Sequence, residues 1–521
     1  MILNWDSFYA MEAANNKQEL LRDHRFAEYA KNTRLWDGSI RPYSNPKVVG
    51  TCAANFIIEE EAAVCVTGCA EYAIRPCGTQ ALYEIKDNYL HRSGIKVGVN
   101  RPTQKPIVKS VTGKGQADNT LFRVLCLNDT GEYSPPSGVS AMASPAYGDN
   151  VSIEWLGCKP YRLQALLRQS MTNKSEIGKN ENQWVTVGDY ESLLANFEWT
   201  PESWQLTSDG YDPASFCDPP KLECFFVTAD GYFVAWDKTL LYVSERHDPS
   251  KFPRRNIKSF GAQILDIVGA RSALYISTSK GLFVARIEPS PEGASISISK
   301  TYENHKPIKG TLGVHNSGAL YATEFGVFSI DESGRQPQNI TGEFLHEDEF
   351  AREFLPESAA VQRGIYYATN KEISWLYDFP GTSGGQGNFG KLVYIDRLGD
   401  KQVAASDGHL YYFNNQSVLA FDRGEGYLEA TWESSPKKLP VRTALSRYKV
   451  TGDNLEGVVL TVTIDGKESV LTDIKNERVC TLPQCCTGFI VSIKVYIPAK
   501  AEKTVIEQIQ LASSVSEILR T

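Results

Sequence analysis

The sequence predicts an all-β fold with few helices, and three observations carry that expectation. Aromatic residues supply 11% of the 521-residue chain, 25 Tyr and 22 Phe against 4 Met, a bias toward residues that fit a pleated surface. The 40 Gly and 25 Pro cut the chain into short pieces. Between them, apolar and β-branched stretches recur with the spacing of strands. At roughly 150 residues per domain the length predicts about three domains, and 42% hydrophobic with 22% charged residues places the chain among globular proteins. No run of ~18 apolar residues predicts a membrane span, and Met1–Asp6 lacks the basic-then-apolar pattern of a signal peptide. With 54 Lys+Arg against 62 Asp+Glu the net charge is −8, which argues against whole-surface nucleic-acid binding but leaves room for passing contact. Eleven irregularly spaced cysteines predict scattered reduced thiols rather than a disulfide framework.

In chain order, one early helix is expected over Met11–Asn32, because Leu20, Leu21, Phe26, Tyr29 and Ala30 fall on one face. Asp37-Gly38 predicts a hairpin turn, since both residues tolerate positive φ. Strands follow at Ala53–Glu59 and Ala81–Ile85, then a Pro-rich joint at Arg101–Pro106. Thr120–Leu127 alternates apolar and polar residues and runs into Asn128–Ser137. With Val151–Leu156, Tyr161–Leu167 and Trp184–Val187, it makes residues 99–200 a small β-sandwich. From about 220 to 430 a unit recurs, Leu/Ile-Tyr-x-x followed by Gly-x-Phe/Tyr-x. Ala273–Ser277 with Gly281–Ala285, Ala319–Thr323 with Gly326–Ile330, and His409–Phe413 are examples. Such repeated strand pairs predict the blades of a β-propeller. An amphipathic helix is expected over Gly342–Leu355, ended by Pro356. Val458–Ile464 and Gly488–Ile497 alternate again and predict a C-terminal β-sandwich. The expected domains are 1–98, an N-terminal helix and strands contributing to the propeller; 99–200, the inserted sandwich; 201–435, the main part of the propeller; and 436–521, the C-terminal sandwich.

Each candidate for chemistry in the sequence also has a plain structural role. Gly381-Thr-Ser-Gly-Gly385 matches a nucleophile elbow, yet it lies between two expected strands and not on a strand-to-helix turn. Gly385–Lys391 mimics a phosphate loop but continues with Leu392, where Ser or Thr would hold Mg²⁺. Cys65, Cys69 and Cys77, with Cys52 upstream, offer one close pair where structural zinc sites use two. Adjacent Cys485 and Cys486 point to opposite faces of a strand. Glu343, Glu347, Asp348, Glu349, Glu353 and Glu357 with His346 form an acidic cluster, read first as a solvated helix face and second as a divalent-metal site. Asp149, Asp189 and Asp209 lie in turn-like contexts. Lys251, Arg254, Arg255 and Lys258 form a modest basic cluster, a partner surface or a solvated loop. Asn339-Ile-Thr341 is a glycosylation sequon without a secretion signal. No catalytic, cofactor-binding or metal-ligating residue is assigned, and no enzyme is expected.

Several segments together resemble the nozzle or tail-hub proteins of tailed bacteriophages, mainly short-tailed ones, also called tail tubular or DNA-stabilisation proteins. Asn32-Thr-Arg-Leu-Trp-Asp-Gly-Ser-Ile-Arg-Pro-Tyr43 is similar to that family's N-x-R-L-W-x-G-x-L-R-P phrase, with Ile40 for Leu. Phe122–Pro136 resembles the phrase of its fibronectin-type-III-like insertion, Y-x-x-T-x-V-N-x-x-G-E-E-S-x-P-S, with Phe122 for Tyr and Tyr133 for the second Glu. Trp236–Pro253 resembles G-N-x-L-x-F-S-E-P-Y-x-P-H-A-W-P, with Arg246-His247 for Pro-Tyr and Phe252 for Trp. Gly318–Phe328 is similar to the family's G-x-V-Y-x-S-x-x-G-L blade, and Asn339–Leu355 to the helix after it. The phrases keep the family's order across residues 32–430. The resemblance implies a β-propeller with an inserted fibronectin-like sandwich and a C-terminal sandwich, in a structural virion protein made in the host cytoplasm. It implies a homo-oligomeric ring, six copies in relatives, below the portal–adaptor connector. Tail fibre or spike proteins would dock on that ring, genomic DNA would pass through it transiently, and nothing would insert stably in a membrane. Neutral or acidic walls would let DNA slide, and Gly381, Gly384, Gly385, Gly387 and Gly390 form a candidate channel loop.

Two other readings compete. A glycan- or receptor-binding propeller of the virion would use exposed aromatics, for which Trp184, Trp199, Trp204, Trp375 and Trp432 are available. A glycan-degrading version would need two carboxylates ~5 to 9.5 Å apart. A tail-hub protein of a long-tailed phage would keep the virion role and change its neighbours.

Overall fold

The computed structural model describes residues 2–11, 25–35, 37–51, 56–60, 72–76, 81–113, 119–167, 183–200, 205–206, 215–228, 230–270, 273–290, 293–302, 306–315, 318–331, 336–342, 345–378, 392–399, 401–404, 409–414 and 417–519. The chain is all-β: propeller blades, an inserted fibronectin-like sandwich and a C-terminal sandwich, with few helical turns. It divides into two compact units, one comprising Met1–Tyr72, Gln263–Ala285 and Ile298–Thr521, the other Ala73–Ala262 and Arg286–Ser297.

In the first unit the Gly-aromatic repeats form successive antiparallel meanders. Gly313–His315, Gly318–Thr323, Gly326–Asp331 and Gln338–Asn339 make one sheet. Ser358–Gln362, Ile365–Thr369, Ser374–Asp378 and Leu392–Ile395 make the next. Lys401–Ala404, Leu410–Asn414 and Ser417–Ala420 make a third, whose outer strand is Lys47–Thr51 from far upstream. The leading strands of these sheets, and Ile264–Ala270 before them, pack side by side in order, which is how propeller blades meet. Polar ties join neighbouring blades. The Gly310 amide donates to Asp266 Oδ2 at 2.8 Å, and the Tyr366 hydroxyl donates to the Thr311 carbonyl at 3.0 Å. The Tyr residues that marked the repeat are core: Tyr275, Tyr321, Tyr366 and Tyr377 are fully buried.

The C-terminal sandwich follows from strict alternation, as in Val459–Ile464, where Leu460, Val462 and Ile464 point inward. Its strand Val505–Ala512 pairs with Ile2–Trp5, Ile2 facing Ala512. Phe26–Lys31 is a strand, and not the C-terminal part of the expected helix; residues 12–24 lie outside the described ones. It pairs with Ala430–Ser434, and a register shift between Ala27 and Tyr29 puts buried Ala27 and Ala30 three residues apart. The bulge thus imitates a helical face. The expected Gly342–Leu355 helix shrinks to one turn, Glu347–Glu349, running into a π turn, Phe350–Phe354. Phe350 and Phe354 anchor it on Trp375, with ring centroids 6.3 and 5.9 Å away.

The second unit contains the sandwich, a three-stranded sheet (Ile107–Thr112, Asn150–Glu154, Leu194–Glu198) and a four-stranded one (Phe122–Cys126, Tyr161–Leu167, Gln183–Tyr190, Gln205–Leu206). Trp155, Tyr161, Leu163 and Trp199 fill its core. It also holds a blade-type meander of Cys224–Val227, Phe233–Asp237, Leu240–Val243 and Ile257–Ser259. The expectation of reduced thiols fails here: Cys126 and Cys158 are disulfide-bonded, and Cys224 is also in a disulfide. Cys126 lies directly opposite Tyr161, so a short turn brings the two sulfurs together despite their separation of 32 residues. Cys217 and Cys480 are free.

The segment after Phe122–Cys126 runs back beside that strand with a period of three. Ser134, Ser137 and Ser140 donate their amides to the carbonyls of Cys126, Val124 and Phe122, at 2.9, 2.9 and 2.8 Å. Their hydroxyls accept the amides of the same three residues, at 2.9, 3.0 and 2.9 Å. A Pro-rich segment turns once every three residues, so it meets a two-residue strand only at every third position, and the Ser hydroxyl replaces the missing carbonyl.

Candidate functional site

The sequence-based candidates scatter. The candidate channel loop, Gly381, Gly384, Gly385, Gly387 and Gly390, lies outside the described residues, as do Cys52, Cys65, Cys69, Cys77, Trp204 and Asp209. Cys485 and Cys486 fall on the strand Cys480–Ile497. Of the acidic cluster, His346, Glu347, Asp348, Glu353 and Glu357 face solvent around buried Phe350 and Phe354. Asp149 shapes a turn by accepting the Ala146 amide at 2.8 Å, and Asp189 holds Arg162 through two bonds of 2.7 and 2.8 Å. The basic cluster divides. Lys251 pairs with Asp248 and Arg255 with Glu245, both at 3.0 Å, while Arg254 stays exposed. Asn339 of the sequon accepts the amides of Thr341 and Gly342 within its own turn. Trp199, Trp375 and Trp432 are core, and Trp184 stacks under the Arg123 guanidinium at 4.0 Å.

The structure instead gathers two clefts in the first unit. One, of about 350 Å³, is lined by Arg34, Arg363, Arg423, Lys503 and His409 above a floor that includes Tyr43, Tyr367 and Phe421. Turn chemistry places the arginines. Arg363-Gly364 forms a two-residue hairpin turn with φ of 51° and 79°, both positive as the type I′ turn requires. Arg423-Gly424 follows Asp422, itself left-handed at φ 58°. Arg34 pairs with Asp422 Oδ2, and its guanidinium lies 5.1 Å from the Tyr43 ring centroid. The other carboxylate oxygen of Asp422 accepts the Ser44 amide at 2.6 Å, so this carboxylate is already engaged. Burial, then the neighbouring Arg41 and Arg34, hold the Lys503 ammonium below its usual range. Tyr43 is 1% exposed, and its hydroxyl has no hydrogen-bond partner in the protein. Its described lining carries four cationic side chains, Arg34 paired with Asp422, and that one carboxylate, so the cleft is net positive.

The second cleft, about 840 Å³ and open, is lined by Tyr29, Tyr394, Glu353, Glu372 and Asp396 among others. Tyr29 and Tyr394 lie 5.6 Å apart at 30°, and Lys31 Nζ holds Asp396 at 2.8 Å. Burial, then Glu353 and Glu349, push the Tyr394 phenol up to about 12. Among the described residues no group of three or more His, Cys, Asp or Glu is placed to hold a metal.

Sequence reasoning named Arg34 and Tyr43 only within a family phrase and missed Arg363, His409, Arg423 and Lys503. The repeated Arg-Gly at turn tips was the one local signal for this cleft.

No protein-family model matches the chain, and no curated protein matches it. Among solved structures it is similar to the extracellular domain of a putative hybrid two-component system from B. thetaiotaomicron, at 11% identity and TM-score 0.27. That match covers 71% of this chain and 47% of the other, so the chain spans about half the length of that domain. It is also similar to an exo-β-1,3-galactanase from Phanerochaete chrysosporium, at 10% identity and TM-score 0.21, covering 78% of this chain and all (100%) of that one. A third likeness is to Citrobacter koseri AztD, at 10% identity and TM-score 0.23, covering 74% and 100%. At TM-scores below 0.5 these likenesses carry no argument about this chain.

Proposed function

We propose that the chain is a structural protein of a phage tail, a ring-forming nozzle or hub below the portal–adaptor connector. It forms part of the conduit for genome ejection and docks tail fibres. The observation that supports this reading is that three of the family-like phrases include residues that pin the backbone as well as strand residues. In the first phrase, buried left-handed Asn32 accepts the Asp396 amide at 2.8 Å and donates to the Glu429 carbonyl at 2.9 Å. Ile40 exchanges amide bonds with Ile506, and Asp37 accepts the Ser39 amide in the turn. The expected turn joins the paired strands Thr33–Arg34 and Arg41–Pro42, with Gly38 at φ 78° and the Asp37 carboxylate accepting the Ser39 hydroxyl. In the second phrase, Asn128 Oδ1 accepts the amides of Thr130 and Glu132, and Ser134 and Ser137 stitch the returning strand. In the third, the Ser244 hydroxyl accepts the Phe233 amide at 2.9 Å, and Glu245 holds Arg255. Residues bound to such duties recur in relatives because few replacements keep the backbone.

The test is cryo-EM and native mass spectrometry of the purified chain, alone and with the virion's connector. A closed ring at six times the chain mass, docking on the connector with an open axial channel, is the expected result. A monomer that ignores the connector overturns the proposal and moves attention to the Tyr29–Tyr394 cleft as a glycan platform.

A further inference from the structure

We infer that the cleft between Arg34, Arg363, Arg423 and Lys503 binds a multiply charged phosphate-type oxyanion, as free phosphate or as a phosphate monoester. Three observations converge on it. First, the cations are available. Asp422 is occupied by Arg34 and the Ser44 amide, and no described carboxylate pairs with Arg363, Arg423 or Lys503. Cationic heads that outnumber the carboxylates around them repel one another, and a bound anion of two or more charges lowers that cost. Second, the floor presents a donor with nothing to donate to. Tyr43 lines the cleft, and its hydroxyl is buried and has no protein partner. A buried polar group is normally satisfied, and an anion seated among the guanidiniums would accept its proton. Third, about 350 Å³ is the size of a small-molecule site. The guanidinium forks suit the tetrahedral oxygens of phosphate, and the rings of Tyr367 and Phe421 offer an apolar wall for an organic group esterified to it.

The inference goes beyond the tail reading and does not rest on it. It is tested by calorimetric titration of the full chain with sodium pyrophosphate, ionic strength held constant with sodium chloride so that general screening is equal in every run. Saturable binding at one site per chain is expected. The double variant Arg423→Gln/Lys503→Gln removes two unpaired heads and weakens binding at least about tenfold. Tyr43→Phe weakens it about threefold while leaving the melting temperature of the unliganded chain unchanged or higher, because it deletes a hydroxyl that has no partner there. A merely structural tyrosine would lower that temperature instead. Parallel titrations with inorganic phosphate and a nucleoside monophosphate identify the source. Tighter binding of the nucleotide assigns an organic ester, and equal binding assigns the free anion. No saturable heat up to about 10 mM pyrophosphate, or equal affinity in wild type and a correctly folded double variant, overturns the inference.

Discussion

Asp378 ends the strand Ser374–Asp378 opposite Ile365, half-buried, and burial alone pushes its carboxyl up to about 6 from an ordinary 3.8. The folded chain therefore holds this proton more tightly than the unfolded chain does. The stabilising contribution is complete below pH 3.8, shrinks as pH rises toward 6, and is gone above it. A shift of this size corresponds to roughly 3 kcal/mol at most, and partial solvent contact lowers it to about 1–2 kcal/mol. Thermal unfolding of wild type and Asp378→Asn between pH 4 and 7 reads this out directly. The Asn variant, neutral throughout, should lack that part of the decline in stability and should be the more stable protein at pH 7. Identical pH slopes in the two proteins would mean that Asp378 does not titrate in this window. The contribution belongs to one residue because the raised value has a single cause, burial, with no neighbouring charge to share it.

At the scale of the element, the serine ladder is the clearest case of sequence setting geometry. Ser137 is 7% exposed, and its hydroxyl is the acceptor for the Val124 amide. Ser137→Ala leaves that buried donor unsatisfied, at a cost of about 1–3 kcal/mol, and should speed hydrogen exchange at Val124, whereas Ser137→Thr keeps the oxygen and should retain most of the protection. Unchanged exchange at Val124 in the Ala variant would sink the ladder as a stabilising device. The same segment shows what was readable. Its Ser and Pro residues stand in plain view in the sequence, but their period of three gains meaning only beside the strand Phe122–Cys126. Blade hairpins were legible because Gly, Tyr and the intervening apolar residues act within a few positions of one another. Phe26–Lys31 was misread as helix because a bulge next to Ala27 turns the two-residue rhythm of a strand into three. The disulfide and the cationic cleft were illegible for another reason. Arg34, Arg363, Arg423 and Lys503 become neighbours only after hundreds of intervening residues have folded, and no local pattern encodes that.

For the molecule as a whole, the first unit is held by pairings between distant parts of the chain. Ile2–Trp5 pairs with Val505–Ala512, and Lys47–Thr51 completes the sheet of Ser417–Ala420. The Trp432 indole donates to the Tyr9 carbonyl at 3.0 Å. Asn32 ties further distant segments together, taking Asp396 and Glu429 with its side chain and Tyr394 and Tyr43 with its backbone. Loop closure over such separations is costly in chain entropy, so the closing contacts should form together and be lost together. Asn32→Ala removes both side-chain bonds and forces a β-carbon without a compensating amide into φ 53°. A loss of about 2–4 kcal/mol is expected. Asn32→Gly loses the same bonds but accepts the left-handed backbone, so it should be milder by about 1 kcal/mol. If Asn32 is a shared latch, hydrogen exchange in Asn32→Ala should accelerate at once in Ile2–Trp5, Leu392–Ile395 and Val505–Ala512. Acceleration confined to Leu392–Ile395 would make Asn32 a local turn residue and leave the closure of this unit to its strand pairings alone.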